Sequence, residues 1–140
     1  EVERQAGGVV EFSDDLHELV RKRKPGFAFE IGAMGSPEHN FYKDAYARQG
    51  YAEVVDKVQG LWLDRRRDEA AALIPDEFVL NSNLLGTEAM VTERIRAYRD
   101  NGITTLSVGP AGETMQDRLD TLGRFMDLVR AVNQEDAGTR

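Results

Sequence analysis

The chain contains two histidines, the residue type best suited to exchange a proton near neutral pH. His39 lies between Glu38 and Asn40, close to a predicted helix start, where an imidazole could protonate a substrate or contact an anion. A structural role is the alternative for this residue. His17 lies among charged residues on a predicted helix, so we expect a solvated surface side chain. His39 is therefore the candidate for acid–base chemistry.

A glycine-rich loop is the first candidate binding element. Gly109-Pro-Ala-Gly112 follows a predicted strand and precedes a predicted helix. Backbone N–H groups at such a place can bind phosphate with help from the helix dipole. Glu113 adds negative charge there, so an ordinary tight loop between a strand and a helix is the alternative.

A second glycine-containing segment, Gly32-Ala-Met-Gly35, precedes another predicted helix start. Glycines there could let the backbone approach a ligand closely, although the spacing is not that of a dinucleotide-binding loop. Aromatic residues follow at helical spacing and could line a flat ring or belong to the core. They are Phe41, Tyr42, Tyr46 and Tyr51.

Charge and composition argue against several classes of function. The 140 residues carry a net charge of −7, which disfavours binding to nucleic acid or to an anionic membrane surface. We interpret Arg65-Arg66-Arg67 as a solvated helix face. The chain has no cysteine, which excludes thiol catalysis, disulfides and cysteine-based metal sites, and no metal site is expected. No apolar run approaches a membrane span, so we expect a cytoplasmic protein. The start without Met suggests processing or truncation.

The stretch 86–132 has the pattern of one repeating unit of an α/β barrel. Thr87 is placed to cap a helix that Asn101-Gly102 ends, and the β-branched run 103–108 predicts a buried parallel strand. Thr114 and Asp117 resemble a capping box at the start of a last helix. Its predicted buried stripe consists of Met115, Leu119, Leu122, Met126 and Val129.

The first half of the chain is predicted to be mainly helical. A strand over Gly8–Phe12 precedes a helix that Pro25-Gly26 should break or kink. Phe27–Met34 predicts a buried helix, with a strand as the alternative because the apolar run is short. Ser36-Pro37 predicts the next helix start, and Gly50 its end. Further helices are predicted over 51–62, 70–74 and 76–80, with Leu84-Leu85-Gly86 as a connection. Together these elements predict an α/β fold that is mostly helical, with about two strands and six helices. It forms one domain over 1–134, followed by a frayed tail over 135–140.

Three stretches in succession resemble the C-terminal portion of the luciferase-like oxidoreductases, in particular the branch that uses coenzyme F420. They are Phe27-Ala-Phe-Glu-Ile-Gly-Ala-Met-Gly with Asn40-Phe-Tyr, then Ile74-Pro-Asp-Glu-Phe, then Leu84-Leu-Gly-Thr-Glu with Arg94, Tyr98 and Gly102. The resemblance implies part of a TIM barrel that binds F420, or FMN in other members, at the carboxyl ends of its strands.

The resemblance also implies a function and a set of site residues. The cofactor would exchange a hydride with a small organic substrate, and His39 is the candidate catalytic proton donor. The expected cofactor contacts are Gly32, Met34, Gly35, Asn40, Tyr42, Ser107, Gly109 and Gly112. Neither nucleic acid nor membrane is expected as a partner.

Length sets this chain apart from a whole barrel, which needs eight strands and about 250 residues. We therefore expect a fragment that is inactive alone and that associates with the missing half or forms a homo-oligomer. One alternative is a non-catalytic helical module that self-associates through Phe27–Met34 and the stripe of Val54, Val58 and Trp62. A third interpretation is a small phosphate-ligand binder built on the loop 109–114.

Overall fold

Three strands and eight α-helices form the part of the chain that the structure describes. The structure is a computed structural model and describes residues 2–138, with side chains as far as residue 135. The strands are β1 (Gln5–Phe12), β2 (Leu84–Gly86) and β3 (Thr105–Pro110). The helices are α1 (Leu16–Arg21), α2 (Lys24–Ala33), α3 (Phe41–Tyr46), α4 (Ala52–Leu63), α5 (Arg67–Ala72), α6 (Asp76–Ser82), α7 (Glu88–Asp100) and α8 (Met115–Gly138), with a π-helical turn, Ala47–Tyr51, between α3 and α4.

The chain divides into two compact units. The sheet unit comprises the residues up to 19 and from 82 onwards, and the helical unit comprises Val20–Asn81. The helix α8 continues to Gly138, past the predicted start of the tail, while residues 139–140 lie outside the described residues. No helix in the described residues has the length and apolar character needed to span a membrane.

The sheet is parallel with the order β2-β1-β3, so β1 lies in its centre. In a closed barrel of successive units each strand would pair with the next one along the chain, so this order differs from that expectation. The pairing has a physical reason. β2 is only three residues long, so β3 could pair with it over three residues at most. With β1, β3 pairs over six residues, from Gln5–Thr105 to Val10–Pro110, which satisfies more backbone hydrogen-bonding groups.

β2 corrects the prediction of two strands. Leu84-Leu85-Gly86 was predicted to be a connection, but it pairs with β1 from Val10 to Phe12. All three of its residues are buried. A strand of three residues is too short to show an alternating pattern, so its pairing depends on the neighbour that β1 provides.

Close backbone contact in the sheet requires two glycines on β1. Gly7 and Gly8 have φ values of +150° and +130°, in the region that favours glycine. A Cβ on Gly7 would lie 1.9 Å from the Ser107 carbonyl oxygen, and one on Gly8 would lie 1.9 Å from the Ser82 carbonyl oxygen. Only residues without a side chain fit between these carbonyls.

The core of the sheet unit lies between the sheet and the helices α7 and α8. Its buried members are Val10, Leu84, Val91, Ile95, Phe125 and Val132. The predicted stripe on α8 is confirmed at Val129, which packs against the core, and is wrong at Met115 and Leu119, which are 68% and 53% exposed. The helix instead turns Phe125 and Val132 inward with Leu128 and Val129 beside them, since the large aromatic ring gains most from burial.

In the helical unit, α2 buries Ala28 and Ile31, and α4 buries Val55 and Val58. The prediction of a helix over Phe27–Met34 is confirmed, although Phe29 on its outer face is 48% exposed. Pro25 was predicted to break a helix. The break lies instead at residues 22–23, and Pro25 occupies the first turn of α2, where its missing N–H has no cost.

Ser36-Pro37 does not start a helix. The Ser36 side-chain oxygen accepts a hydrogen bond from the His39 N–H at 3.0 Å, and the two backbones bond each other, which closes a turn. α3 begins later, at Phe41, with Asn40 as its cap. Ser and Pro favour turns as readily as helix starts, and here the turn wins.

Local end signals are confirmed elsewhere. The Thr87 hydroxyl accepts a hydrogen bond from the Met90 N–H and caps α7. Gly102 has a φ of +79° just past its end. Gly50, with a φ of +100°, marks a kink between α3 and α4. These signals depend on a few neighbouring residues, which is why sequence alone predicts them.

We expect Gly8→Ala to destabilise the sheet unit by at least about 3 kcal/mol, because the methyl group would collide with the Ser82 carbonyl in a backbone conformation that alanine disfavours. Gly123→Ala is the matched control. Gly123 lies in α8 with nothing within 4 Å of an added Cβ, so alanine should stabilise by about 0.5–1 kcal/mol. Urea unfolding measures both, and equal effects would contradict the role of Gly8.

Candidate functional site

The carboxyl ends of the three strands meet at one edge of the sheet. The Ser13 N–H donates to the Gly86 carbonyl at 2.9 Å, and the Ala111 N–H donates to the Val10 carbonyl at 2.9 Å. These bonds tie together the chain where it leaves each strand. Parallel α/β sheets bind ligands at this edge, in particular where the strand order reverses, as it does between β1 and β3. We call it the carboxyl edge: Phe12, Ser13, Gly86, Thr87 and residues 110–112.

The loop from β3 to α8 is held by side chains of α8. Thr114 and Asp117 bond each other's backbone N–H groups at 3.2 and 3.0 Å, which confirms the predicted capping box. Arg118 Nε donates to the Gly112 carbonyl at 3.0 Å, and Thr121 Oγ1 donates to the Ala111 carbonyl at 2.9 Å. These four bonds hold the loop in one conformation.

Two arginines at the carboxyl edge were missed by the sequence analysis. Arg118, six residues after Gly112, reaches back to the loop. The Arg124 guanidinium lies 4.3 Å from the centre of the Phe12 ring, and its Nε donates to Glu88 Oε1 at 2.9 Å. The signal for Arg118 was its place in the first turn of α8, from which a side chain points back toward the preceding loop. Arg124 had no local signal, because its partners Phe12 and Glu88 lie far away along the chain. The edge carries charges of both signs.

The predicted residues of the sheet unit differ in what surrounds them. Ser107 is exposed, on the face of β3 opposite Leu106 and Val108, which pack against the core. A Cβ on Gly112 would lie 2.6 Å from the Arg118 backbone nitrogen, so packing explains that glycine. A Cβ on Gly109 would meet nothing within 4 Å. Gly109 is thus an open stretch of backbone that a flat ring could approach.

In the helical unit, packing also explains two of the predicted glycines. A Cβ on Gly32 would lie 2.2 Å from Trp62 Cγ, so this glycine lets the Trp62 side chain of α4 lie against α2. Gly35 has a φ of +102°, and a Cβ there would lie 2.4 Å from the His39 carbonyl oxygen. The predicted cofactor contact of both residues stays a prediction.

Asn40 is a buried polar residue, 2% exposed. Its Nδ2 donates to the carbonyls of Ile31 at 2.7 Å and Glu30 at 3.1 Å, while its Oδ1 accepts from the Lys43 N–H at 3.0 Å. The side chain therefore joins the end of α2 to the start of α3. Both amide hydrogens are used within the protein, which makes Asn40 a residue that positions its neighbours.

The neighbours of Asn40 present their side chains to solvent. Met34 and Tyr42 are 41% and 37% exposed, and His39 is exposed as well. The Phe41 ring lies edge-on to Tyr42, 5.9 Å between centres. The other two predicted aromatics are half-buried and pack on Phe78: Tyr46 stacks on its ring at 4.1 Å, and Tyr51 meets it edge-on at 4.7 Å.

The predicted site residues thus form two groups, one in each unit. Gly32, Met34, Gly35, His39, Asn40 and Tyr42 lie in the helical unit, and Ser107, Gly109 and Gly112 lie in the sheet unit. Within the described side chains, no group of three or more histidine, aspartate or glutamate residues is arranged to hold a metal ion.

Comparison with known proteins gives two matches. Residues 2–105 match the family model of the luciferase-like monooxygenases. Over 109 residues the chain is 38% identical to a Mycobacterium tuberculosis protein that is named as a coenzyme F420-dependent oxidoreductase. That match covers 78% of this chain and 31% of the relative, so the chain spans about a third of the relative's length. No solved structure matches the chain significantly.

Asn40→Ala should destabilise the helical unit by about 2 kcal/mol, because it removes the cap of α3 and leaves the Ile31 carbonyl without this donor. The control is Asn81→Ala, at an exposed position of α6, where we expect a change within about 0.5 kcal/mol. Denaturant unfolding measures both variants. An Asn40 variant as stable as the control would contradict the positioning role.

Glu30, on α2, supplies a pH-dependent test. Burial raises the pKa of its carboxyl above the ordinary 4.5. The folded protein therefore holds this proton more tightly than the unfolded chain, and the Glu30 contribution to stability falls as the pH rises from 4.5 through the raised pKa. Relative to wild type, Glu30→Gln should gain stability from pH 4 to pH 7.

Glu53→Gln is the matched control for the pH series. A hydrogen bond from Lys57 lowers the pKa of Glu53, so its carboxylate stabilises the fold above about pH 4.5 and that contribution is lost as the pH falls through the lowered pKa. Relative to wild type, this variant should lose stability from pH 4 to pH 7. Unfolding curves that shift in the same direction for both variants would contradict the assignment.

Proposed function

This chain belongs to the luciferase-like monooxygenase family, and we propose that it is the C-terminal portion of an F420-dependent oxidoreductase. The identity of 38% to the Mycobacterium tuberculosis relative carries this proposal. When bound, F420 exchanges a hydride with a small organic substrate, and the protein supplies binding and orientation. We further propose a cytoplasmic location.

The proposal includes dependence on the rest of the barrel. The match covers 31% of the relative, so about two thirds of the relative's length lies outside the matched part. A three-stranded sheet also leaves the outer edges of β2 and β3 without neighbours among the described strands. We propose that the chain is inactive alone and works in association with the missing half of the barrel or as an oligomer.

Residues of this chain have defined tasks in the proposal. Gly109 is suited to contact the ring of F420, because the space that a Cβ would fill is open and the ring can approach the backbone there. Met34, Tyr42 and Ser107 are exposed and would contact the cofactor or substrate directly. The conformation of these segments would be held by the packed or hydrogen-bonded residues Gly32, Gly35, Asn40 and Gly112. His39, with its exposed imidazole, would supply a proton to the substrate.

There is one alternative for the cofactor and one for the function. FMN in place of F420 is compatible with the family, and a titration separates the two cofactors. Self-association of a non-catalytic module is less well supported. Val58 of the predicted stripe and Ile31 of the predicted apolar segment are fully buried inside the helical unit, so they are not available to a second copy. Phe29 and Met34 are the large apolar side chains of that segment that stay exposed.

The decisive experiment is a fluorescence titration with F420 and with FMN. The chain is measured alone and after co-expression with the part of the Mycobacterium tuberculosis relative that the match leaves out. We expect no saturable binding to the chain alone and saturable F420 binding to the reconstituted protein. Saturation by FMN alone would select the flavin, and no binding by a folded reconstituted protein would contradict the function.

Gly109→Ala tests the proposed site within that reconstituted protein. A methyl group should fit the fold and occupy the space of the ring, so we expect F420 binding to weaken about tenfold. Gly123→Ala, the same change on an open helix position, should leave affinity unchanged. Equal affinities for the two variants would place the ring elsewhere.

A further inference from the structure

The sheet unit contains a cavity that the proposed cofactor site does not use. It lies between α7, β3 and α8, with a volume of about 300 Å³. Its inner wall is formed by Ile95, Leu106, Phe125, Val129 and Val132. Ile103 and Thr104, which precede β3, also line it, so it lies toward the amino end of β3, away from the carboxyl edge.

The cavity is open to solvent on one side, where the exposed residues Thr104 and Asn133 line it. An apolar cavity of about 150 Å³ stays dry and holds a benzene ring. A volume of about 300 Å³ therefore has room for a bicyclic compound, at the lower end of small-molecule sites.

The arginines at the mouth are paired with carboxylates. Arg99 Nε donates to Asp100 Oδ1 at 2.9 Å, and its Nη1 lies 3.6 Å from a Glu135 carboxylate oxygen and donates to the Val132 carbonyl at 3.2 Å. Arg96 also pairs with Glu135. Arg96 pairs with Glu93 as well, so two guanidinium groups face three carboxylates, which disfavours an anionic ligand.

We infer that this cavity is a binding site for a neutral, mainly apolar compound of bicyclic size. Its rings would contact Leu106, Phe125 and Val129, where burial of apolar surface supplies the affinity. The exposed amide of Asn133 at the mouth offers a hydrogen bond to one polar group of the ligand. None of the predicted cofactor contacts lines the cavity, so the site is independent of the proposed function.

Indole is the probe, because it is bicyclic and neutral with one N–H donor. Calorimetric titration of the chain should show one saturable site with a dissociation constant of roughly 0.1–1 mM. Indole-3-acetate, which adds a charge to the same rings, should bind at least about tenfold more weakly because the mouth has no unbalanced cation for it.

Val129→Phe should fill the cavity and weaken indole binding at least about tenfold. Leu119→Phe, on the exposed side of the same helix, should leave it unchanged. If the first variant does not fold, Asn133→Trp at the exposed mouth blocks entry without touching the core.

Three results would overturn the inference. One is the absence of saturable indole binding. Another is equal indole affinity for wild type and for a folded blocking variant, Val129→Phe or Asn133→Trp. The third is a dimer mass in sedimentation that Val129→Phe converts to monomer, since the cavity would then hold a second copy of the chain.

Discussion

The close approach of backbone at Gly7 and Gly8 is the constraint on which the sheet unit depends. A side chain at either position would meet a carbonyl oxygen at 1.9 Å, so β1 could not occupy the centre of the sheet. With β1 in place, β2 and β3 pair on its two sides and end at one edge. The core between sheet and helices, the carboxyl edge and the apolar cavity all follow from that arrangement.

How far the sequence predicts this fold depends on the range of the interactions. Thr87, Gly102 and the Thr114–Asp117 pair are local signals, and they are confirmed because a few neighbouring residues determine them. The phase of α8 and the strand Leu84–Gly86 depend on partners far along the chain. Apolar residues on α8 allow two overlapping stripes, and only the position of the sheet selects the one with Phe125.

The candidate site shows the same division. The motif residues could be named from sequence, but their neighbours could not. Gly32, Gly35 and Gly112 look like ligand-contacting glycines, yet each faces an atom that a Cβ would strike. Gly109 does not, and that difference appears only in three dimensions. Arg118 and Arg124 reach the carboxyl edge because α8 begins beside it: Arg118 bonds the Gly112 carbonyl, and Arg124 lies over the Phe12 ring.

Asn40 has a consequence for how this segment can vary. Its amide spans the end of α2 and the start of α3, so the chain between Ile31 and Asn40 must return to the same point in space. Exposed side chains such as Glu38 can be exchanged without affecting this bridge, whereas an inserted or deleted residue would pull the amide off its carbonyls. The segment 34–39 therefore has a fixed length and two fixed positions, Gly35 and Ser36, while the exposed side chains of Met34, Glu38 and His39 leave the scaffold unchanged when they vary.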